Sequence, residues 1–382
     1  MSGATHHDVA VVGAGPAGSS AALALSRAGL RVVIMEKGIP PRHKTCGGGL
    51  LGRVLPLLPP GVDTVVESEC LRASLHHHDP DLSFETTRDS PVVTMVMRDR
   101  FDHLLNRAAQ DAGAEMVTGI TVRDVKQLSD RVALETDRST FTATHVVAAD
   151  GAGSMVAKCC GLPPLRRVIP ALECEATVDP ATLEKFSGTA RFDFGLVPHG
   201  YAWVFPKRSH LSIGVLTTRR GSCNLHEAYA RYLARLGIAK IIHEERHGYM
   251  IPLQPRDRMF EAPRILFAGD AAGLVDPITA EGISAAVISG QLAAQAIVEG
   301  CGDDMKTRRT YRNLLHKNLL PELRVARVLA RLFYDFPRAR IWLLRHHGRR
   351  LTDSLARIVM GECGYRDPIR RPANYLRLLF PS

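Results

Sequence analysis

The sequence predicts an α/β fold: a Rossmann-like domain assembled from discontinuous segments, an antiparallel-sheet domain and a C-terminal helical region. Three observations predict it. An apolar run at residues 9–12 leads into Gly13, Gly15 and Gly18 in G-x-G-x-x-G spacing, then a helix-forming stretch, then a second apolar run that delivers Glu36. Two later apolar runs, 144–148 and 265–268, also end in turns of glycine, alanine and aspartate. Between those two, from about residue 162, longer alternating stretches replace the α/β pattern.

In chain order, residues 9–12 suit a buried parallel strand, and Pro16 suits the first position of a helix over 17–28, which ends at Gly29. Glu36 stands eighteen positions after Gly18. Such a unit binds a dinucleotide for a physical reason. Glycines let the backbone approach a pyrophosphate, the helix N-terminus offers N–H groups and positive dipole, and the acid accepts ribose hydroxyls. In 46–50, Cys46, Gly47, Gly48 and Gly49 imply backbone passing very close to something, or a tight turn. Residues 95–105 read as a strand end and a helix start carrying Arg98. Segments 115–119, 122–128 and 132–136 read as a meander, and 144–148 as a buried strand ending in Asp150 and Gly151. The stretches 168–178, 189–194, 201–206, 211–217 and 248–252 read as an antiparallel sheet, interrupted by a helix at 225–236. The strand at 265–268 ends in Gly269 and Asp270, and a loop then opens a long helix from Gly282 to about 299. The resulting division gives 1–50, 95–160 and 260–300 to the nucleotide domain, 51–94 and 161–259 to the sheet domain, and 301–382 to basic helices.

The chain has 382 residues and a net charge of +10. Residues 306–382 hold 18 Lys+Arg against 5 Asp+Glu, so the basic excess sits entirely in this last stretch. No nucleic-acid module accompanies it, which argues against nucleic acid as a partner. These arginines alternate with Leu, Val, Trp and Phe, as on a helix lying against anionic lipid, although a solvated face has the same composition. The first eight residues form no cationic and apolar leader, and the best apolar window, 283–298, is interrupted by Ser, Gly and Gln. A cytoplasmic chain, or one resting peripherally on a membrane, is the expectation. The runs 76–78 and 346–347 of histidines lack metal-ligand spacing and read as solvated loops, so no metal is expected.

The order of Gly13-x-Gly15-x-x-Gly18 with Glu36, then Asp150-Gly151, then Gly269-Asp270, resembles the FAD-binding signature of glutathione-reductase-type flavoproteins with the p-hydroxybenzoate hydroxylase-like fold. Two further stretches, Lys44-Thr45-Cys46-Gly47-Gly48 and Gly200-Tyr201-Ala202-Trp203-Val204-Phe205-Pro206, resemble the geranylgeranyl reductase family. So does the loop 273–283, with Ala280 where glycine is usual and Asp276 where asparagine is frequent. The resemblance implies that Gly13, Gly15 and Gly18, with Pro16 and Ala17, hold the FAD pyrophosphate. Glu36 would serve the adenosine ribose, Arg98 the phosphate side and Asp270 the ribityl and pyrophosphate, with Lys37, Asp150, Gly151 and Gly269 as further cofactor contacts. Gly282, Ile283, Cys46, Gly47 and Gly48 would lie near the flavin ring. Tyr201, Trp203 and Phe205 would alternate along one strand and face a substrate pocket that Gly48 borders.

Such an enzyme would reduce isolated C=C bonds of a geranylgeranyl lipid, quinone or pigment precursor. A hydride alone cannot do this, because no neighbouring carbonyl stabilises the developing charge, so a proton must accompany it. Tyr201 and Trp203 would stabilise cationic character, and Tyr201, Cys46 or a water would supply the proton. Only one dinucleotide unit is readable, so electrons come from outside, from NADPH or a reduced electron-transfer protein. The alternatives are an FAD-dependent monooxygenase of an apolar substrate and a non-catalytic prenyl-lipid carrier; a halogenase is disfavoured because its tryptophan-rich signature is missing. Oligomeric state is not written in the sequence.

Overall fold

The computed structural model describes residues 6–256 and 259–367, so the end of the basic stretch and the first five residues lie outside the described residues. Among the described residues, the first of three sheets runs β17 (Glu261–Ala262), β18 (Ile265–Phe267), β11 (Thr140–Ala148), β1 (His6–Val12), β2 (Val32–Glu36), β8 (Glu115–Thr118), with β10 (Val132–Thr136) and β9 (Val122–Gln127) attached at β11. β1 lies parallel to β2 and β11, and β11 to β18. Covered on both faces, such strands must be apolar throughout, which is why this layer reads as continuous Val and Ile. The meander expected over 115–136 is corrected here. β8 joins β2 in parallel, and only β9 and β10 continue antiparallel into β11.

Glycines set how tightly α1 (Pro16–Arg27) packs. A Cβ on Gly18 would fall 1.9 Å from the Gly13 carbonyl oxygen, and one on Gly290 of α6 (Ile283–Gly300) would fall 2.1 Å from that of Ala17. α6 is long and apolar enough to cross a membrane, yet 67% of it is buried inside the fold, as expected of a core helix. α2 (Arg98–Asp111) joins the layer through a 2.6 Å hydrogen bond from Ser19 Oγ to Asn106 Oδ1, and α3 (Met155–Cys159) follows β11.

The second sheet runs β16 (His243–Pro252), β12 (Val168–Thr177), β15 (Leu211–Thr217), β14 (Gly200–Pro206), β13 (Thr189–Phe194), β5 (Arg72–His78), β6 (Asp81–Thr87). Alternation sorts its two faces. Val204, Ile213 and Val215 pack under α5 (Leu225–Leu236) with Tyr229 and Tyr232, while Ala171, Tyr201, Trp203 and Leu216 turn to the other side. α4 (Pro180–Phe186) abuts β13 and β14. The third sheet is β3 (Gly49–Leu51), β7 (Val93–Val96), β4 (Val66–Cys70).

The histidine runs are not loops. His76, His77 and His78 end β5, where His78 Nε2 lies 2.7 Å from Asp193 Oδ1 and His77 is buried. His346 and His347 belong to α9 (Pro337–Met360). Strand alternation and helical pitch bury one histidine of each run, which a composition-based reading cannot see.

The basic region is part of the body. α7 (Asp304–Asn318) docks on the first sheet, with Tyr311 Oη donating to Phe267 O at 2.6 Å. α8 (Leu320–Asp335) and α9 cross the second sheet, and a Cβ on Gly348 would fall 2.2 Å from Phe84 Cζ, so α9 lies directly on β6. Pro321 sits in the first turn of α8, where its missing N–H costs nothing, and Gly361 caps α9 at φ 85°.

Candidate active site

Between the first two sheets lies a cavity of about 1010 Å³. Every residue assigned from sequence to the cofactor, the chemistry or the substrate pocket borders it except Gly18, which the helix–strand packing above uses instead. That corrects Gly18 from a pyrophosphate contact to a spacer, the role the third glycine of such units has.

One end is shaped for a dinucleotide. Gly13, at φ 98°, brings the end of β1 onto β11, where an added Cβ would fall 2.5 Å from Ala149 O. Gly15 precedes α1 with no side chain capping the first turn, and its own Cβ would meet only Arg42 Nη2, at 4.0 Å. Uncapped N–H groups beside open space are what a pyrophosphate needs, so the residues fit the cofactor the sequence implied. Glu36 does more than expected. Its carboxylate accepts from Ala14 N at 2.8 Å and Gly38 N at 2.9 Å, bracing the glycine turn, and Arg42 Nε lies 3.2 Å away. Arg98 is no surface ion pair. It is buried, grips Asp102 with two hydrogen bonds of 2.8 and 2.9 Å, and borders the cavity. Sequence reasoning missed Arg42 and Tyr249 and gave Lys44 no role. Lys44 Nζ sits 3.1 Å from the Tyr249 ring centre, and burial with Arg98 nearby holds its pKa down at about 8. Tyr249 Oη donates to Asp270 Oδ2 at 2.9 Å.

The glycine turn after Cys46 passes close to something, and that something is Lys207. The buried ammonium donates to Gly47 O at 2.7 Å and Val96 O at 3.0 Å; a Cβ on Gly48 would fall 2.0 Å from Val96 O and 2.6 Å from Lys207 Nζ. Gly47 is held against Phe205 and Trp203 in the same way. The opposite loop, 274–282, is gripped from three elements. Tyr201 Oη donates to Thr279 O, Tyr334 Oη to Ile278 O at 2.5 Å, and Tyr365 Oη to Asp276 Oδ2 at 2.9 Å, while Arg53 pairs with Glu281 at 3.1 Å. Ala280 holds φ 56°, a conformation that favours glycine and strains alanine by roughly 1 kcal/mol. Tyr201 donates its proton to the Thr279 carbonyl and burial raises its pKa further, so of the three proton sources left open by the sequence this hydroxyl is already engaged.

The other end is apolar. Tyr201, Trp203 and Phe205 do share the cavity face of β14, with neighbouring ring centres 6.0 and 6.2 Å apart. Gly214, opposite Trp203 on β15, makes this possible: a Cβ there would fall 2.0 Å from Trp203 Cζ2, so the indole lies flat across the strand. Its Nε1 is buried with no partner among the described residues. Ala73 and Leu75 from β5, Val93 from β7, and Thr352, Leu355, Ala356 and Val359 from α9 close the far end. Glu173 of β12, which is 1% exposed, borders the cavity beside these apolar groups. The α9 wall was invisible in sequence, since nothing local says that a helix after residue 337 returns to the cavity.

A model for an FAD binding domain matches residues 6–299. The chain is 30% identical over 353 residues to a digeranylgeranylglycerophospholipid reductase of Methanothermobacter thermautotrophicus, covering 85% of this chain and 88% of the relative. It is 30% identical over 355 residues to a menaquinone reductase of Mycolicibacterium smegmatis, covering 87% and 86%. Among solved structures, a geranylgeranyl bacteriochlorophyll reductase-like protein from Thermoplasma acidophilum superposes with a TM-score of 0.78 at 23% identity, covering 93% of this chain and 92% of that one. A flavin-dependent brominase shares the fold at a TM-score of 0.73 and 20% identity, over 97% and 100% of the chains. Fold alone therefore does not choose the chemistry.

Proposed function

The chain belongs to the geranylgeranyl reductase family of FAD-dependent oxidoreductases, and on that premise we propose that it saturates isolated C=C bonds in the geranylgeranyl-type chain of a lipid, quinone or pigment precursor. The observation that carries this reading is the shape of the cavity: one end built for a dinucleotide, the other walled by Trp203, Phe205 and the aliphatic face of α9. Bound FAD, once reduced, supplies a hydride. The chain supplies the rest. Gly13, Gly15 and the α1 N-terminus hold the pyrophosphate, with Lys44 and Arg98 as the cations nearby. The aromatic trio excludes water and offers ring faces to the positive charge that grows on a tertiary alkene carbon. Lys207 fixes the Cys46–Gly48 turn against those rings, so Cys46 has a positioning place in the wall. The electron donor, NADPH or a reduced electron-transfer protein, acts as a separate visitor.

The test is anaerobic incubation of dithionite-reduced protein with geranylgeranyl compounds, followed by mass spectrometry. The expected product gains two hydrogens per event. An oxygen gained only in air would support a monooxygenase instead, and bound FAD that no donor bleaches would support a carrier.

We also propose that the protein rests on anionic membrane. α8 exposes Arg324, Val328, Arg331 and Leu332 on one side, and α9 exposes Arg338, Trp342 and Arg345. Cations interleaved with exposed apolar side chains fit a lipid headgroup layer, and a prenyl substrate resides there. Sedimentation with vesicles of anionic phospholipid should remove the protein from solution, and Trp342→Ala with Leu332→Ala should leave it in the supernatant; equal binding to neutral vesicles, or none, contradicts this.

A further inference from the structure

We propose that Glu173 is the proton donor to the alkene, recharged from the protein surface through Glu175 and His210. The inference rests on the reductase reading above and assigns the proton that the reading requires.

Three features lead to it. First, place: Glu173 shares a sheet rank with Gly214 and Trp203, so its carboxyl stands across one strand from the indole, on the cavity face. Second, partners: Oε1 accepts from Ser212 Oγ at 3.0 Å, and Oε2 is buried with no donor among the described residues. The groups facing it are Glu175 on its own strand, Ser212 on β15, Lys207 after β14, His247 as its register partner on β16, and Cys46 from the glycine turn. Lys207 spends hydrogen bonds on the Gly47 and Val96 carbonyls, and neither it nor His247 makes one to Glu173. A carboxylate so buried, with a hydroxyl as its one hydrogen-bond donor, costs far more than a neutral acid. Third, supply: Glu175 lies two residues along on the same face, and the His210 side chain, 16% exposed, stands beside it with Nε2 2.9 Å from Glu175 Oε2, an ion-pair distance without hydrogen-bond alignment.

The electrostatics agree with the geometry. Burial, and then the charge of Glu175, push Glu173 well above the usual carboxylate range; burial would raise Glu175 as well, but His210 and Lys207 hold it below its ordinary value. Two neighbouring carboxyls are thus driven apart, one neutral and one ionised, the arrangement that defines an acid and its resupply. In the reaction the O–H bond of Glu173 breaks and a C–H bond forms at one alkene carbon, while the hydride and its electron pair reach the other. The resulting Glu173 carboxylate is recharged by a proton that enters from water at the His210 side, is taken up by the ionised Glu175 and passes on to Glu173, so that Glu175 ends ionised as it began. The other residues considered for the proton are less suited: the Tyr201 hydroxyl is committed to Thr279 O, and the Cys46 sulfur accepts from Gly48 N at 3.4 Å.

The test is Glu173→Gln, which keeps the shape and the Ser212 contact. Infrared spectra of the substrate-free holoprotein at neutral pH should show a protonated-carboxyl band that shifts in D2O and is lost in E173Q. FAD content and the rate of FAD bleaching by dithionite should match wild type, while anaerobic reoxidation of the bleached protein by a geranylgeranyl compound slows by about 100-fold or more. Reoxidation within about threefold of wild type, or a band that survives in E173Q, overturns the proposal. Wild-type protein that leaves the prenyl chain unreduced overturns the parent reading and this one with it, so the wild-type result tests the function and the ratio of the two proteins tests Glu173.

Discussion

Gly214→Leu should retain FAD and lose about 100-fold in alkene turnover, the scale on which a misplacement of roughly 1 Å acts. The added Cβ alone would fall 2.0 Å from Trp203 Cζ2, so the indole must leave the strand it lies across. Gly214 is not among the residues that border the cavity, and FAD content should stay near one per chain. The displacement has its own readout, because the chain has two tryptophans and Trp342 is half-exposed. In a Trp342→Phe background, fluorescence reports Trp203 alone, and it should shift to the red when Gly214 is replaced. Full turnover with an unshifted spectrum would mean that the ring is not part of the reacting wall.

Ala356→Phe should separate chain length from chemistry. Ala356 is 2% exposed and faces the closed end of the cavity from α9. A ring there removes space that a long chain needs and leaves the dinucleotide end untouched. Activity on a geranylgeranyl chain should fall by roughly 100-fold in kcat/KM, while a substrate one or two isoprene units long keeps most of its rate. Overpacking costs typically ~1–3 kcal/mol, so a thermal melt accompanies the kinetics. Equal losses on short and long chains would place the chain elsewhere.

How much of this was legible beforehand follows from what is local. The unit from Val9 to Glu36 is written in contiguous spacing, and α1 begins at Pro16 as its proline and glycines require. The β14 aromatics are legible too, because alternation puts Tyr201, Trp203 and Phe205 on one face wherever the strand pairs. Partners across the sheet are not. Gly214 and Glu173 matter because register sets them beside Trp203, and the register of β12 on β15, which pairs Glu173 with Gly214 from 41 positions away, has no signature in either strand. The histidines of β5 were misread for the same reason: polar composition suggested solvent, whereas parallel pairing with β13 buries His77 and brings His78 to Asp193. Counting charge along the sequence shows that the C-terminal stretch is basic but not which of its side chains face the cavity. In the fold Arg324, Arg331, Arg338 and Arg345 lie outward and Arg340 is buried beside His77, while Thr352, Leu355, Ala356 and Val359 line the cavity from α9.

The most direct measurement uses the flavin as its own reporter. Protein bleached anaerobically is mixed with a geranylgeranyl compound, and the return of the yellow colour is followed in stopped flow while double bonds are counted in the product. If the cavity joins cofactor and chain as described, colour returns without oxygen, at a rate that rises with prenyl concentration, and one double bond disappears per flavin reoxidised. Colour that returns only when air is admitted, with every double bond intact, would contradict the account.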